Sequence, residues 1–327
     1  MKYKNILVTG GLGFIGTNFI NFVLKKRLNI NIFNVDKMTY ASNQEVNKKY
    51  IKSNRYKFYK IDIRSKKIED IIKKHKIDLI INFAAESHVD NSIKDPKRFY
   101  ENNVGGVINL LSIITDKNIR FHQVSTDEVF GSLSLNSKRK FEIYDKYDPS
   151  SPYSASKASA DIFIKAFAKT YGINYSISYC SNNYGKYQNR EKLIPKIIES
   201  CLNRKKIPIY GTGSNIRDWI YVDDHCEGIF KLLSNKEYIK EAMFGGNTKI
   251  NNLNLTKKII KLIEKKTKAK NLEDLINFVQ DRKGHDLSYQ VSIKSAEKIK
   301  WKPKVNIDEG LNKTVSWYVN FYLLNQS

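Results

Sequence analysis

The sequence predicts an α/β protein: a Rossmann-type doubly wound parallel sheet with a smaller C-terminal α/β substrate-binding lobe. Three observations carry that expectation. Short apolar runs alternate with helical periods through the first half of the chain, as parallel strands with covering helices require. A glycine-rich turn joins the first strand to the first helix. After about Cys180 the pattern changes to short polar loops with Pro208, Gly211 and Gly213 between brief helices. The strand-like runs are residues 5–9, 31–35, 57–61, 79–83, 121–125 and 174–178, with amphipathic helices over 15–26 and 68–75. Residues 1–180 are expected to form the dinucleotide-binding part and 181–327 mainly the substrate lobe, with freedom for the chain to cross back. No internal repeat or low-complexity linker interrupts it.

The 327 residues, 41% hydrophobic, suffice for a large core and a smaller one. The formal charge is +24, yet lysines are spread over nearly every segment. Runs such as Lys25-Lys26-Arg27 and Lys265-Lys266 read as solvated helix faces. A nucleic-acid footprint would be clustered, so no nucleic-acid partner is expected. A positive field does favour approach of a diphosphate. Cys180, Cys201 and Cys226 are an odd number without metal-ligand spacing, which points to a reduced, cytoplasmic setting and no metal. The first apolar run is too short for a signal peptide, and no stretch approaches the ~20 apolar residues of a membrane span.

Strand one runs into Thr9-Gly10-Gly11-Leu12-Gly13-Phe14-Ile15-Gly16. In such a loop the glycines serve a tight turn, close approach of a pyrophosphate and close packing of helix on strand. The helix that follows directs its N-terminal amides at phosphate oxygens. Asp36 ends strand two, twenty residues beyond Gly16. A carboxylate there accepts hydrogen bonds from ribose hydroxyls and repels a ribose phosphate, which favours NAD over NADP.

Ser151-Pro152-Tyr153-Ser154-Ala155-Ser156-Lys157 opens a helix, with Pro152 in the first turn. Tyr153 and Lys157, four apart, share one face. A neighbouring ammonium and a nicotinamide cation both favour the phenolate, which makes Tyr153 a candidate base for a sugar hydroxyl. Strand five ends in Ser125-Thr126-Asp127-Glu128-Val129-Phe130-Gly131. That is the carboxyl end of a parallel sheet, where ligands bind in this architecture. Two adjacent carboxyls can divide acid and base work if their surroundings separate their pKa values. Both reach one substrate only if the strand ends or bends there.

The ordered stretches TGGLGFIG, VDKMTYASN, AAESHVDNS, STDEVFG, SPYSASKAS, SNNYG, EKLIPK, PIYGTGSNIRDWIYVDD and DRKGHD resemble the extended short-chain dehydrogenase/reductase family along essentially the whole chain. Within it they are most similar to the dTDP-glucose 4,6-dehydratases. The resemblance implies removal of water from a nucleoside-diphosphate glucose through transient hydride transfer to bound NAD, in a homodimer that serves rhamnose-type deoxysugar synthesis. It implies that Tyr153 is the base for the carbon-4 hydroxyl with Thr126 beside it, Lys157 its partner, Asp127 the acid and Glu128 the base of the elimination. It extends the NAD site to Lys37, Thr39, Asp62, Ile63, Ala84, Ala85 and Asn183. It assigns substrate contacts to Ser87, Asn182, Lys192, Leu193, Pro208, Ile209, Tyr210, Arg217, Asn252, Arg282 and His285. Arg217 suits such a clamp, because a guanidinium binds phosphate oxygens in a fork. The chain departs from the family pattern at Lys283, where Pro is usual, and at Phe130, where Tyr is common. UDP-glucose as substrate, or 4-epimerase chemistry on the same scaffold, are the alternatives. The Asp127-Glu128 pair argues against the latter.

Overall fold

Residues 2–26 and 28–324 are described by a computed structural model; Arg27 of the first basic run lies outside the described residues. Seven strands form the central sheet: β1 (Asn5–Thr9), β2 (Asn31–Asp36), β3 (Tyr56–Lys60), β4 (Leu79–Asn82), β5 (Arg120–Thr126), β6 (Tyr175–Cys180) and, after an excursion, β11 (Glu241–Phe244). The excursion and the segment that follows carry β7 (Asn182–Tyr184), β8 (Ile207–Tyr210), β9 (Ile216–Arg217), β10 (Trp219–Tyr221), β12 (Ile250–Asn251) and β13 (Ile276–Val279). The sheet order is β11-β6-β5-β4-β1-β2-β3, and every neighbouring pair in it is parallel. The order reverses between β1 and β4, so their carboxyl ends diverge and leave a crevice.

Side-chain alternation explains why the sheet is covered on both faces. In β1, Leu7 enters one core while Ile6 and Val8 enter the other. In β4, Ile80 and the pair Leu79/Ile81 divide in the same way. The first core takes helices Lys67–His75, Gly106–Ile113 and Pro152–Tyr171; the second takes Phe14–Lys25 and Val222–Ser234. A third core, under helices Leu193–Leu202, Asn252–Thr267 and Ile307–Leu324, builds the lobe. Three two-stranded pairs, β7 with β10, β9 with β12 and β8 with β13, connect that lobe to the sheet. The chain recrosses: β11 pairs with β6, and helix Val222–Ser234 packs under the sheet although both follow residue 180. The expected strands match the observed ones to within a residue or two, because short Val/Ile-rich runs bounded by polar loops leave little choice of register.

Candidate active site

The turn after β1 is shaped by steric necessity. Gly10 has φ +66°, and a Cβ on it would lie 2.5 Å from the Ala84 backbone. A Cβ on Gly16 would lie 2.5 Å from the Gly10 carbonyl oxygen, so the helix packs flush against the turn. Gly13 stands at the N-cap of helix Phe14–Lys25, and no side chain caps that end. Its first amides are therefore left for an anion. Asp36, buried, holds the turn in place: its carboxylate accepts the Leu12 amide at 3.0 Å, the Met38 amide at 2.8 Å and the Ser42 hydroxyl at 3.2 Å. These features fit a dinucleotide: bare amides for the pyrophosphate, no Cβ in its path, and an anchored acid at the end of β2.

The turn opens into a cleft of about 310 Å³. Every residue expected to bind the cofactor lines it: Gly10, Gly13, Phe14, Ile15, Gly16, Asp36, Lys37, Thr39, Asp62, Ile63, Ala84, Ala85, Tyr153, Lys157 and Asn183. Thr126, Asp127 and Glu128 line it too, as do Ser87, Asn182 and Lys192. Lys37 turns from Asp36 to Asn102 Oδ1 (2.7 Å) and Glu86 Oε1 (3.3 Å). Asp62 is forked by Arg64.

The acid pair sits where β5 ends. Asp127–Phe130 form a single 3-10 turn capped by Thr126, whose Oγ1 accepts the Glu128 amide and donates to Asp127 Oδ1, both at 3.3 Å. The turn frees both carboxyls from the alternation of a strand, and both reach the cleft. Their surroundings differ. Burial pushes Asp127 well above the usual carboxylate range, and Glu128 and Asp218 add to it. Its Oδ2 has no hydrogen-bond partner within the described chain. Burial also raises Glu128, but Arg217, Lys192 and Arg282 pull the other way. Asp127 is thus the more firmly protonated of the two, which suits an acid beside a base.

Helix Pro152–Tyr171 is fixed at its start by a capping box between Ser151 and Ser154. Tyr153 and Lys157 are buried on its inner face. The sequence expects the Lys157 ammonium and a nicotinamide cation together to lower the Tyr153 phenol. Lys157 Nζ donates to the Val124 carbonyl at 2.7 Å. Burial, Glu128, Cys180 and Asp127 push Tyr153 well up, against a hydrogen bond from Thr126. The protein's own groups keep this phenol neutral, and a cation bound beside it is what would favour the phenolate.

The remaining expected substrate residues, Leu193, Pro208, Ile209, Tyr210, Arg217, Asn252, Arg282 and His285, are not among the residues that line this cleft; they lie in the segments after β7. Arg282 pairs with Asp90 at 2.6 Å, Tyr210 donates to the same carboxylate at 3.1 Å, and the Tyr210 ring meets His285 edge-on. Arg217 lies over the Tyr289 ring with its guanidinium bonded to the Ile216 and Asp286 carbonyls. Asn252 Oδ1 is buried without a partner among the described residues. Leu193 and Ile209 pack with the third core, and Pro208 lies between Ile207 and Ile209 in β8.

Glu86, Asp90 and Asn103 were missing from the sequence expectation. Asn103 accepts the Glu86 amide at 2.8 Å and donates to Ser156 Oγ at 2.8 Å, tying the loop after β4 to the tyrosine helix. It sits in a π-helical stretch, Tyr100–Gly105, of a kind frequent at functional sites. Paired asparagines, Asn102-Asn103, opening an otherwise apolar helix were the available signal.

With the geometry in place, comparison with known proteins decides the family. The GDP-mannose 4,6 dehydratase family pattern matches residues 7–314. The chain belongs to this family. Among its relatives is the dTDP-glucose 4,6-dehydratase of Haemophilus influenzae, 40% identical over 96% of this chain and 98% of that one. The dTDP-glucose 4,6-dehydratase of Bacillus anthracis, solved in complex with NAD, superposes with a TM-score of 0.87 at 39% identity, covering 97% of both chains. The Streptomyces venezuelae enzyme of the same name, also solved with NAD, gives 0.88 at 35% identity over 97% of both. Membership in this family fits the pairing of a phosphate loop with Asp127, Glu128 and Tyr153 in one cleft.

Proposed function

We propose that this chain is an NAD-dependent dTDP-glucose 4,6-dehydratase, a hydro-lyase that yields dTDP-4-keto-6-deoxyglucose and water. The observation that carries the proposal is the Asp127–Glu128 turn, which sets the buried Asp127 carboxyl and the partly buried Glu128 carboxyl, of unequal acidity, in the cleft that also holds Tyr153 and the phosphate loop. Gly10, Gly13 and Gly16, the helix start at Phe14 and Ile15, and Asp36 hold NAD. Bound there, NAD would accept the hydride of carbon 4 and give it back at carbon 6, so the redox sum would be zero. Tyr153 takes the proton of the carbon-4 hydroxyl, with Thr126 hydrogen-bonded beside it. The carbon-4 ketone acidifies carbon 5. Glu128 removes that proton while Asp127 passes its own to the carbon-6 hydroxyl, which leaves as water; the resulting double bond between carbons 5 and 6 is saturated by the returned hydride at carbon 6 and by the proton that Glu128 gives back to carbon 5. Lys192, Tyr210, Arg217, Asn252, Arg282 and His285 hold the nucleotide diphosphate.

The product would feed rhamnose-type deoxysugar synthesis in the cytoplasm. Ile162 and Phe163, 56% and 39% exposed on the outer face of the tyrosine helix, favour a homodimer buried there, which light scattering tests. The functional test is mass spectrometry of protein incubated with NAD and, separately, dTDP-glucose and UDP-glucose. Loss of one water from dTDP-glucose without net NADH is the expected result. Loss from UDP-glucose alone would change the base. An isomeric product or accumulating NADH would replace the dehydratase with an epimerase or dehydrogenase.

A further inference from the structure

His225 lies on helix Val222–Ser234, fully buried, outside every motif used above. Its Nδ1 is 2.9 Å from Oδ1 of Asn183, which lines the cleft. The protonation of this ring follows from its neighbours. The other end of the Asn183 amide, Nδ2, is 3.0 Å from the Ser181 carbonyl oxygen. A carbonyl only accepts, so the amide nitrogen must face Ser181 and the amide oxygen must face His225. An oxygen facing Nδ1 requires the proton on Nδ1. His225 Nε2, buried and without a partner among the described residues, is then the bare nitrogen of a neutral ring. Burial pushes the ring's pKa down to about 3, so it stays neutral at ordinary pH.

The consequence reaches the cleft floor. With its oxygen held by His225 and one N–H spent on Ser181, the Asn183 amide keeps a single orientation. It lies within hydrogen-bond reach of the Cys180 sulfur, itself in the cleft wall close to Tyr153. The backbone repeats the restraint: Asn183 pairs with Ile220 across β7 and β10, and Gln188 Nε2 donates to its carbonyl at 2.8 Å. We infer that His225 is a positioning residue: as a fixed Nδ1–H donor it locks the Asn183 carboxamide with its N–H groups toward the cleft floor, and so sets the affinity of the cleft for NAD. The inference deepens the proposed function, since it rests on that cleft taking NAD.

The test uses the full chain freed of cofactor, with NAD titrated by calorimetry into wild type, His225→Leu and His225→Asn. Leucine fills the space without a donor. Asparagine restores a neutral N–H near the Nδ1 position. His225→Leu should weaken NAD binding roughly fivefold, the size of one net hydrogen bond, and His225→Asn should recover most of it. Equal weakening in both variants, or none in either, would overturn the inference, because packing alone does not distinguish them. Where His225→Leu fails to fold, nitrogen-15 NMR of histidine-labelled wild type decides: a proton on Nδ1 of His225 is expected, and a proton on Nε2 would overturn it. The dehydratase reading fails separately, if wild-type protein binds NAD yet leaves dTDP-glucose intact.

Discussion

Asp90 and Arg282, 192 residues apart in sequence, meet in an ion pair of 2.6 Å that joins the short helix Val89–Lys94 to the lobe. Tyr210 donates to the same carboxylate, and Arg282 lies over the Tyr210 ring at 5.0 Å. Both partners are largely shielded, so the pair is worth more than a surface contact, on the order of 1 kcal/mol. Asp90→Asn keeps the shape and removes the charge. We expect KM for the sugar nucleotide to rise about fivefold with kcat little changed, because Arg282 loses its aim while Asp127, Glu128 and Tyr153 are untouched. Steady-state kinetics at fixed saturating NAD checks this; a fall in kcat at constant KM would place Asp90 in the chemistry instead.

The acid pair gives the pH profile its two limbs. In the proposed mechanism Asp127 acts protonated; burial holds its carboxyl well above the usual range, so activity should fall as pH rises through that raised value. In the same mechanism Glu128 acts ionised; burial raises it too, so activity should fall as pH drops through its own value. Asp127→Asn and Glu128→Gln should each lower kcat by about 10² to 10⁴, the range of general acid–base catalysis. They should fail at different points. Glu128→Gln should abolish exchange of the carbon-5 proton with deuterated solvent. Asp127→Asn should retain some of that exchange without releasing water. Mass spectrometry of recovered substrate separates the two; identical exchange in both would contradict the division of roles.

The fold and the placement of the cleft residues were legible in part from sequence. The phosphate loop could be read from glycine spacing because sterics permit no other residue at Gly10. Residues on the sheet's carboxyl ends followed from counting strands. The sequence could not show that the chain returns to the sheet at β11, since that short run resembles any lobe strand. Nor could it show where Lys157 Nζ goes: spacing put the ammonium on the helix face of Tyr153, while the Val124 carbonyl, set by the sheet, captured it. Partnerships such as Asp90 with Arg282 or His225 with Asn183 depend on how distant segments pack, which local pattern does not encode.

Asp161 supplies a stability test independent of catalysis. It is fully buried, four residues beyond Lys157 on the same helix, and accepts the Ser125 hydroxyl at 2.5 Å. Lys165 on its own helix, Glu241 on β11 and the hydroxyls of Tyr147 and Tyr179 also act on or feel its charge. Burial raises its carboxyl from 3.8 to about 7, against the pull of Lys157 and Ser125. A raised carboxyl stabilises the fold while neutral. That contribution is full below the unfolded value and is lost as pH climbs through the folded one. Wild type should therefore lose stability relative to Asp161→Asn between about pH 4 and pH 7, by about 1.4 kcal/mol per unit of effective shift. Urea unfolding of both proteins at the two ends of that window measures it, and parallel pH curves would show that Asp161 is already ionised.

Asp36 does two jobs that a substitution can separate. Its carboxylate anchors the Leu12 and Met38 amides, and its charge faces the part of the cleft where a ribose would lie. Asp36→Asn keeps one acceptor oxygen and the side-chain shape but removes the charge. Asp36→Ala removes both acceptors. The Asn variant should bind NAD within about tenfold of wild type while its discrimination against NADP narrows, because a ribose phosphate no longer meets a negative charge. The Ala variant should lose affinity for both cofactors, since the turn that presents the Phe14 helix is no longer held at two points. Calorimetric titration with NAD and NADP across the three proteins reads both effects. An unchanged preference in Asp36→Asn would mean that shape alone, set by Met38 and Ser42 around the turn, excludes the ribose phosphate.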